Sequence, residues 1–234
     1  FNLELKGSSY SDIVLIDSVS FNNQLADVSY GRMLDDNNQW SYFGEPTIGE
    51  PNTTPIASTL HFSGLIESSI PSGFYNGSQI VTLYSTNSEG QIYYTLDGSK
   101  PSSNTSLYTE PIIIESSLVL KARLLETGKL PGEVLTASYF INEPNNISTV
   151  SLIAEPSTLW DDDIGIYENE FKQREIPVTI QYYDSDSEHA FSINAGSRIG
   201  GLNIWTKPQK PFTIYTRGRF GDDFIRYKLF DNKQ

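Results

Sequence analysis

Two adjacent glycines followed by lysines are the first residues whose types and spacing could do chemistry. Gly200 and Gly201 precede Lys207 and Lys210. Glycines let backbone N–H groups approach a phosphate closely, and lysine side chains neutralise its charge. The pattern therefore has the elements of a phosphate cradle, which makes these four residues candidate nucleotide contacts. The alternative is a β-hairpin with a solvated basic face, since the chain has no GxxxxGK[ST] element.

Consecutive carboxylates form a second group. Asp161, Asp162 and Asp163 would supply the oxygen ligands that hard cations prefer, so they are candidate metal ligands. A second acidic run, at residues 184–188, has the same character. Neither run has the glycine and terminal glutamate spacing of an EF-hand, and a solvated loop is the alternative for both.

Aromatic side chains form a third group, because exposed rings offer flat faces to sugars. The rings considered as a platform are Tyr75, Tyr84, Tyr93, Tyr94, Tyr108 and Trp40. Successive side chains of a strand point to opposite faces, so Tyr93 and Tyr94 cannot share one platform. The alternative places most of these rings in a core. His61 and His189 are the only histidines and suggest neither a catalytic triad nor a zinc site, so we expect no complete active site.

Charge and composition restrict the partners. The chain carries a net charge of −13, which disfavours nucleic acid as a partner. The charge is uneven, because residues 198–234 hold eight basic and three acidic residues and are net +5. The chain has no cysteine, so it forms no disulfides. We expect no membrane-spanning segment, because no apolar run approaches 18 residues, and we expect the sequence to be a piece of a longer protein.

These residues must be positioned by strands. Short alternating runs rich in aromatic and β-branched residues recur between Gly, Pro and Asn turns, which predicts an all-β chain of tandem small sandwiches, immunoglobulin-like, with a β-rich C-terminal piece. Predicted strands include residues 79–84, 91–96, 118–123 and 177–183. Residues 13–21 are predicted to form a strand that is buried at residues 13–16 and becomes half-exposed. The pair Asp97-Gly98 indicates a tight turn. A helical turn is expected to open the loop at Pro156.

The first 53 residues resemble a known module. The segments 17–21 and 29–32, then Trp40 and residues 46–52, are similar to the C-terminal half of a lamin-tail domain. The resemblance implies a partial immunoglobulin-like β module at residues 1–53.

The middle of the chain carries a second resemblance. Residues 92–101 (IYYTLDGSKP), Leu107-Tyr108 and residues 120–123 (LKAR) resemble the chitobiase/hexosaminidase C-terminal domain. The resemblance implies an accessory, non-catalytic β-sandwich at residues 56–143.

The last part of the chain carries a third resemblance. Residues 159–167, 176–180, 195–201 and 207–212 are similar to the opening of a CotH-type domain, a family of atypical protein kinases. The resemblance implies a β-rich N-terminal piece at residues 147–234, with Mg-ATP as a cofactor of the full-length protein only.

Together these resemblances favour a non-catalytic spacer and interaction segment of a bacterial surface or secreted protein, with a glycan or a surface protein as partner. The alternatives are a nucleotide-binding lobe fragment of an atypical kinase and a carbohydrate-binding module.

Overall fold

The protein is nearly all β in a computed structural model, which confirms the predicted fold class. The structure describes residues 2–8, 13–33, 39–52, 56–86, 89–185, 189–201, 208–221 and 223–229. Within these ranges the elements, in chain order, are β1 (Asn2–Ser8), β2 (Ile13–Ser20), β3 (Ser29–Arg32), β4 (Trp40–Phe43), β5 (Ile56–Phe62), β6 (Ile66–Ser68), β7 (Gly73–Tyr75), β8 (Gln79–Val81), β9 (Leu83–Ser85), β10 (Gln91–Thr95), β11 (Ser106–Leu107), β12 (Ile112–Ile114), β13 (Leu118–Leu125), β14 (Gly128–Leu130), β15 (Leu135–Ile141), β16 (Thr149–Ala154), α1 (Pro156–Trp160), β17 (Ile176–Tyr183), β18 (His189–Ile199) and β19 (Phe212–Tyr215).

The chain forms two compact units. The first unit is Phe1–Ser63 with Leu125–Gly132, and the second is Gly64–Leu124 with Glu133–Gln234. Across the described ranges, no helix is both long and apolar enough to cross a membrane.

The first unit contains a hairpin, β1-β2, and a four-stranded sheet in the order β14-β5-β4-β3. Phe43, Ala57 and Leu130 are buried in it. The returning segment is tied to the sheet by Ser63, whose N–H donates to the Leu130 carbonyl at 2.8 Å. The hydroxyl of Ser63 accepts from the Glu126 N–H at 3.0 Å. The buried Glu126 carboxylate is paired with Lys129 at 2.7 Å, which satisfies a charge that would otherwise be costly to bury.

The second unit begins with a β-sandwich. Its larger sheet has the order β11-β10-β13-β15-β7, and two hairpins, β12-β8 and β6-β9, complete it. Period-2 alternation in β13 points Leu120, Ala122 and Leu124 inward, where they meet Tyr139 of β15. The opposite face of this sheet carries polar side chains and Phe140.

A second sheet, in the order β16-β17-β18-β19, covers that opposite face. Along β17 the residues Val178 and Ile180 join one apolar cluster with Ile166, which lies in the loop after α1. The alternate residues Gln181 and Tyr183 are buried against the sandwich. We call β16 to β19 the C-terminal sheet; both of its faces are packed.

Two predicted strands differ from the structure. Residues 79–84 form two strands, β8 and β9, because the strand is interrupted at Thr82. There Ser69 donates its N–H to the Thr82 carbonyl at 2.9 Å and accepts from the Thr82 N–H at 2.9 Å. Residues 13–16 were predicted to be buried, but Leu15 and Ile16 are exposed, because β2 pairs with β1 alone in a two-stranded ribbon.

Candidate functional site

An open cleft of about 320 Å³ lies in the second unit, between the larger sandwich sheet and the C-terminal sheet. Its polar lining comes from seven side chains: Lys100, Lys121, Glu133, Thr136, Glu155, Thr179 and Asn194. Two lysines face two glutamates, so the lining is formally neutral. Among the described residues, this cleft combines opposite charges with apolar walls in one concave site, which is typical of ligand pockets.

Strand alternation places Lys121 in the cleft. Its neighbours Leu120 and Ala122 are buried in the sandwich core, so Lys121 points to the outer face of β13. Thr136 is paired with Lys121 across the ladder to β15 and shares that face. The two residues form one wall of the cleft.

Burial lowers the pKa of the Lys121 ammonium, because the low-dielectric surroundings disfavour its charged form. The negative charges of Glu155 and Asp97 act in the opposite direction. The ammonium donates to the Gly98 carbonyl at 2.5 Å. A lysine perturbed by burial in a cleft is a common mark of a functional site.

The predicted turn at Asp97-Gly98 provides the acceptor for Lys121. Gly98 has a φ of 82°, a left-handed conformation that glycine adopts without strain. The Asp97 carboxylate accepts from the Ser99 hydroxyl at 2.6 Å and the Ser99 N–H at 2.9 Å. These bonds lower the pKa of Asp97, the hydroxyl contributing most. The chain bends at Gly98 within the loop from β10 to β11, so Asp97-Gly98 does not join two strands directly as a hairpin turn would.

Glu155 connects the two walls of the cleft. It follows β16 directly, and its carboxylate accepts from the backbone N–H of Lys100 at 2.7 Å. A ligand that displaced this contact would find both a carboxylate acceptor and a backbone donor.

The C-terminal sheet forms the other wall. Thr179 on β17 is paired with Asn194 on β18, and the Thr179 hydroxyl donates to the Asn194 side-chain carbonyl at 2.9 Å. The half-buried ring of Phe220 lies at the same wall. Hydroxyl, amide, ammonium and carboxylate groups beside an aromatic ring suit a ligand rich in hydroxyl groups.

The residues predicted to bind nucleotide lie elsewhere, at the end of the β18–β19 hairpin. The Gly200 N–H donates to the Pro211 carbonyl at 3.1 Å, which places Gly200 beside Lys210. Gly201 has a φ of 119°. Lys207 lies outside the described residues. Nucleotide binding at this hairpin stays a prediction.

The aspartates predicted to bind metal form a loop of their own after α1. The Asp161 carboxylate accepts from the N–H groups of Ile164 and Asp163, which lowers its pKa. Asp162 and Asp163 are exposed. Within the described ranges, no group of three or more His, Cys, Asp or Glu residues is arranged to hold a metal ion. Metal binding at these aspartates stays a prediction.

The aromatic residues do not form one platform. Tyr75, Tyr94 and Tyr108 pack against the sandwich core, which is the alternative weighed from the sequence. Trp40 lies in the first unit, where it stacks on Tyr30 at 5.3 Å. Tyr84 is 47% exposed.

Sequence reasoning missed Lys121, Lys100 and Glu155 as site residues. The available signal was that Lys121 and Arg123 interrupt the apolar run Leu118–Leu125 at alternate positions, which strand period places on the outward face. The sequence pattern did not indicate that the C-terminal sheet covers this face and forms the other wall of the cleft.

Comparison with known proteins identifies one part of the chain. Residues 70–136 match the family model of the chitobiase/beta-hexosaminidase C-terminal domain, which confirms that resemblance. No curated protein and no solved structure matches the chain. The lamin-tail-like and CotH-like resemblances stay predictions. The matched segment carries Lys100, Lys121, Glu133 and Thr136, so one wall of the cleft comes from a stretch that is similar to the chitobiase/beta-hexosaminidase C-terminal domain.

Proposed function

We propose that this chain is a non-catalytic binding segment of a bacterial surface or secreted protein, and that the cleft around Lys121 binds a glycan. The observation that supports this most strongly is the neutral cleft itself, with its partly buried ammonium and its carboxylates, hydroxyls and amide. Sugar hydroxyls both donate and accept hydrogen bonds, so a wall that offers both kinds of partner suits them.

The matched family supports the same proposal. Its name refers to chitobiase and beta-hexosaminidase, enzymes of carbohydrate chemistry, of which this domain is the C-terminal part. An uncharged or N-acetylated oligosaccharide is therefore the first ligand to test.

The packing of the second unit supports a spacer role. The rings of Phe74 and Phe140 stack at 4.5 Å, and Tyr183 of the C-terminal sheet meets Phe140 edge-on at 5.3 Å. Gln181 donates to the Thr136 carbonyl at 2.9 Å. A buried contact of this kind holds the sandwich and the C-terminal sheet in one orientation, as a spacer requires.

The test is a glycan array followed by calorimetry with chito-oligosaccharides. We expect saturable binding by the wild-type chain and at least about tenfold weaker binding by Lys121→Met, which keeps the length of the side chain but removes its donors. Lys6→Met, which removes an exposed lysine from the first unit, is the matched control. Absence of any array hit, or equal binding by Lys121→Met, would refute the cleft as a glycan site.

A nucleotide-binding lobe is the second candidate function, supported by the hydrogen bond from the Gly200 N–H to the carbonyl of Pro211, the residue after Lys210. Mg-ATP titration followed by thermal unfolding tests it. A rise in the unfolding midpoint that disappears in Lys210→Ala would support a nucleotide site, and no rise in this chain or in a longer one would exclude that reading.

A further inference from the structure

Arginine side chains of the second unit gather on aromatic rings at and after β19. The guanidinium of Arg217 lies 4.6 Å from the centre of the Tyr215 ring, and that of Arg198 lies 5.1 Å from the same centre. Arg219 lies 4.7 Å from the centre of the next ring, Phe220. We call Arg198, Arg217 and Arg219 the arginine cluster.

The ladder between β18 and β19 explains why two guanidinium groups share one ring. Tyr215 is paired with Gly196, and Thr213 with Arg198, so Arg198 and Tyr215 stand diagonally on the same face of the sheet. Gly196 has no side chain, which leaves room above it. A Cβ at this position would lie 2.4 Å from both the Glu175 carboxylate and the Phe220 ring.

The cluster holds more positive charge than its surroundings neutralise. Glu175 pairs with Arg217 at 3.1 Å and with Arg219 at 3.0 Å, so one carboxylate serves two guanidinium groups. The ion pairs of the described residues supply Arg198 with no carboxylate. The Asp223 carboxylate, which lies against Gly218, is a second negative charge nearby. Three positive charges against two negative ones leave a local excess on a chain whose net charge is −13.

The guanidinium groups are accessible to a ligand. The side chains of Arg217 and Arg219 are 48% and 59% exposed, whereas the Glu175 side chain between them is 12% exposed. The mostly buried Glu175 carboxylate pairs with both arginines, and their side chains remain exposed to solvent. A planar guanidinium offers paired donors that match a carboxylate or sulfate in bidentate geometry.

We propose that the arginine cluster binds an acidic polysaccharide through its carboxylate or sulfate groups. The aromatic rings that carry the guanidinium groups hold them in place and lower the entropy lost on binding. Nucleic acid fits less well, because its closely spaced phosphates need a long basic surface and this chain is strongly acidic outside the cluster. The cluster adjoins the Lys121 cleft, because Arg219 lies over Phe220, which lines that cleft, but none of its three arginines belongs to the cleft lining.

Calorimetry with the full chain tests the proposal, using alginate oligomers, sulfated dextran oligomers, neutral dextran and a single-stranded DNA oligomer. We expect binding to the carboxylated or the sulfated oligomer, with the two arms showing which group is preferred. We expect no binding to neutral dextran and weaker binding at high salt, since screening weakens exposed charge pairs.

Variants then locate the site. Arg198→Gln combined with Arg217→Gln should weaken binding by about tenfold or more. Lys6→Gln, which removes one positive charge from the first unit, should leave the affinity unchanged. If the double variant does not fold, Arg217→Gln alone, which alters an exposed side chain, replaces it in the affinity measurement and should also weaken binding.

Three results would overturn the proposal. They are equal affinity for neutral dextran, unchanged affinity in the folded arginine variants, and tighter binding of the DNA oligomer than of either acidic oligosaccharide. The last would identify the cluster as a nucleic-acid surface instead.

Discussion

At the scale of single residues, Lys121 determines the character of the cleft. It is the one lysine among the described residues whose pKa is clearly lowered by burial, and its ammonium is held by the Gly98 carbonyl. A charged group placed in low dielectric destabilises the fold unless its partners compensate. Its partners in the protein are the Gly98 carbonyl and the charges of Glu155 and Asp97, and a ligand in the cleft would add to them.

Lys121 should make stability depend on pH in a defined direction. Its folded pKa lies below the ordinary value of 10.5, so between these two values the unfolded chain binds more protons than the folded chain. The free energy of unfolding contributed by Lys121 therefore rises as pH increases through that window. Urea unfolding of wild type and Lys121→Met over this range should show wild type gaining stability relative to the variant. A constant difference at every pH would contradict the assignment.

At the scale of elements, Gly196 lets the segment after β19 lie against β18. A Cβ added at position 196 would lie 2.4 Å from both Glu175 and Phe220, so any side chain there would have to displace these two residues. Phe220 also lines the cleft, so this glycine positions part of one cleft wall.

Gly196→Ala should lower the free energy of unfolding by about 1–3 kcal/mol, because an added methyl group overpacks a close contact. It should also weaken glycan binding. Gly73→Ala is the matched control, since its Cβ would meet nothing closer than 3.8 Å and should change stability by no more than about 0.5 kcal/mol. Denaturant unfolding measures both. Equal stability of the two variants would show that the segment after β19 is not held by Gly196.

Most individual strands were predictable from alternation. Residues 118–123 and 177–183 alternate along one sheet face, and both form strands close to the predicted bounds. Residues 79–84 alternate equally well but form two strands, because the side chain of Ser69 interrupts the ladder at Thr82. The alternation of one strand contains no information about a serine ten residues earlier in the chain.

The candidate site was predictable only in part. The outward position of Lys121 follows from strand period, but its burial depends on β16, β17 and β18, which belong to a separate part of the sequence. The 11-residue strand β18 was not predicted as a strand over its full length, and Asn194 of the cleft lies in it. Pairing between distant segments is not encoded in local pattern, so the cleft required the structure.

At the scale of the whole molecule, the second unit behaves as one body because its two sheets share a polar and an aromatic contact. Gln181 is 3% exposed. Its side-chain oxygen accepts from the Ser72 hydroxyl at 3.2 Å and from the Ser138 N–H at 3.2 Å. The hydroxyls of Ser138 and Ser151 are bonded at 2.7 Å. Separation of the two sheets would remove these partners from the Gln181 side chain and from the Ser151 hydroxyl.

Gln181→Ala should lower the free energy of unfolding of the second unit by about 1–3 kcal/mol, because buried donors and acceptors lose their partner. The control is Gln209→Ala, at an exposed position after β18, which should change the free energy of unfolding by no more than about 0.5 kcal/mol. Hydrogen exchange should rise in β15 and β17 together in the Gln181 variant. Faster exchange in β17 alone would argue that the two sheets open independently.

The central claim, that the cleft binds a glycan, is tested most directly by mapping amide chemical shifts in an NMR titration with a glycan that binds. We expect the largest changes in amide chemical shift at Lys100, whose N–H donates to Glu155, and at Thr136, Thr179 and Asn194. These changes should saturate at the calorimetric stoichiometry and disappear in Lys121→Met. Saturable binding with these amides unmoved, and shifts confined to another face, would contradict the account.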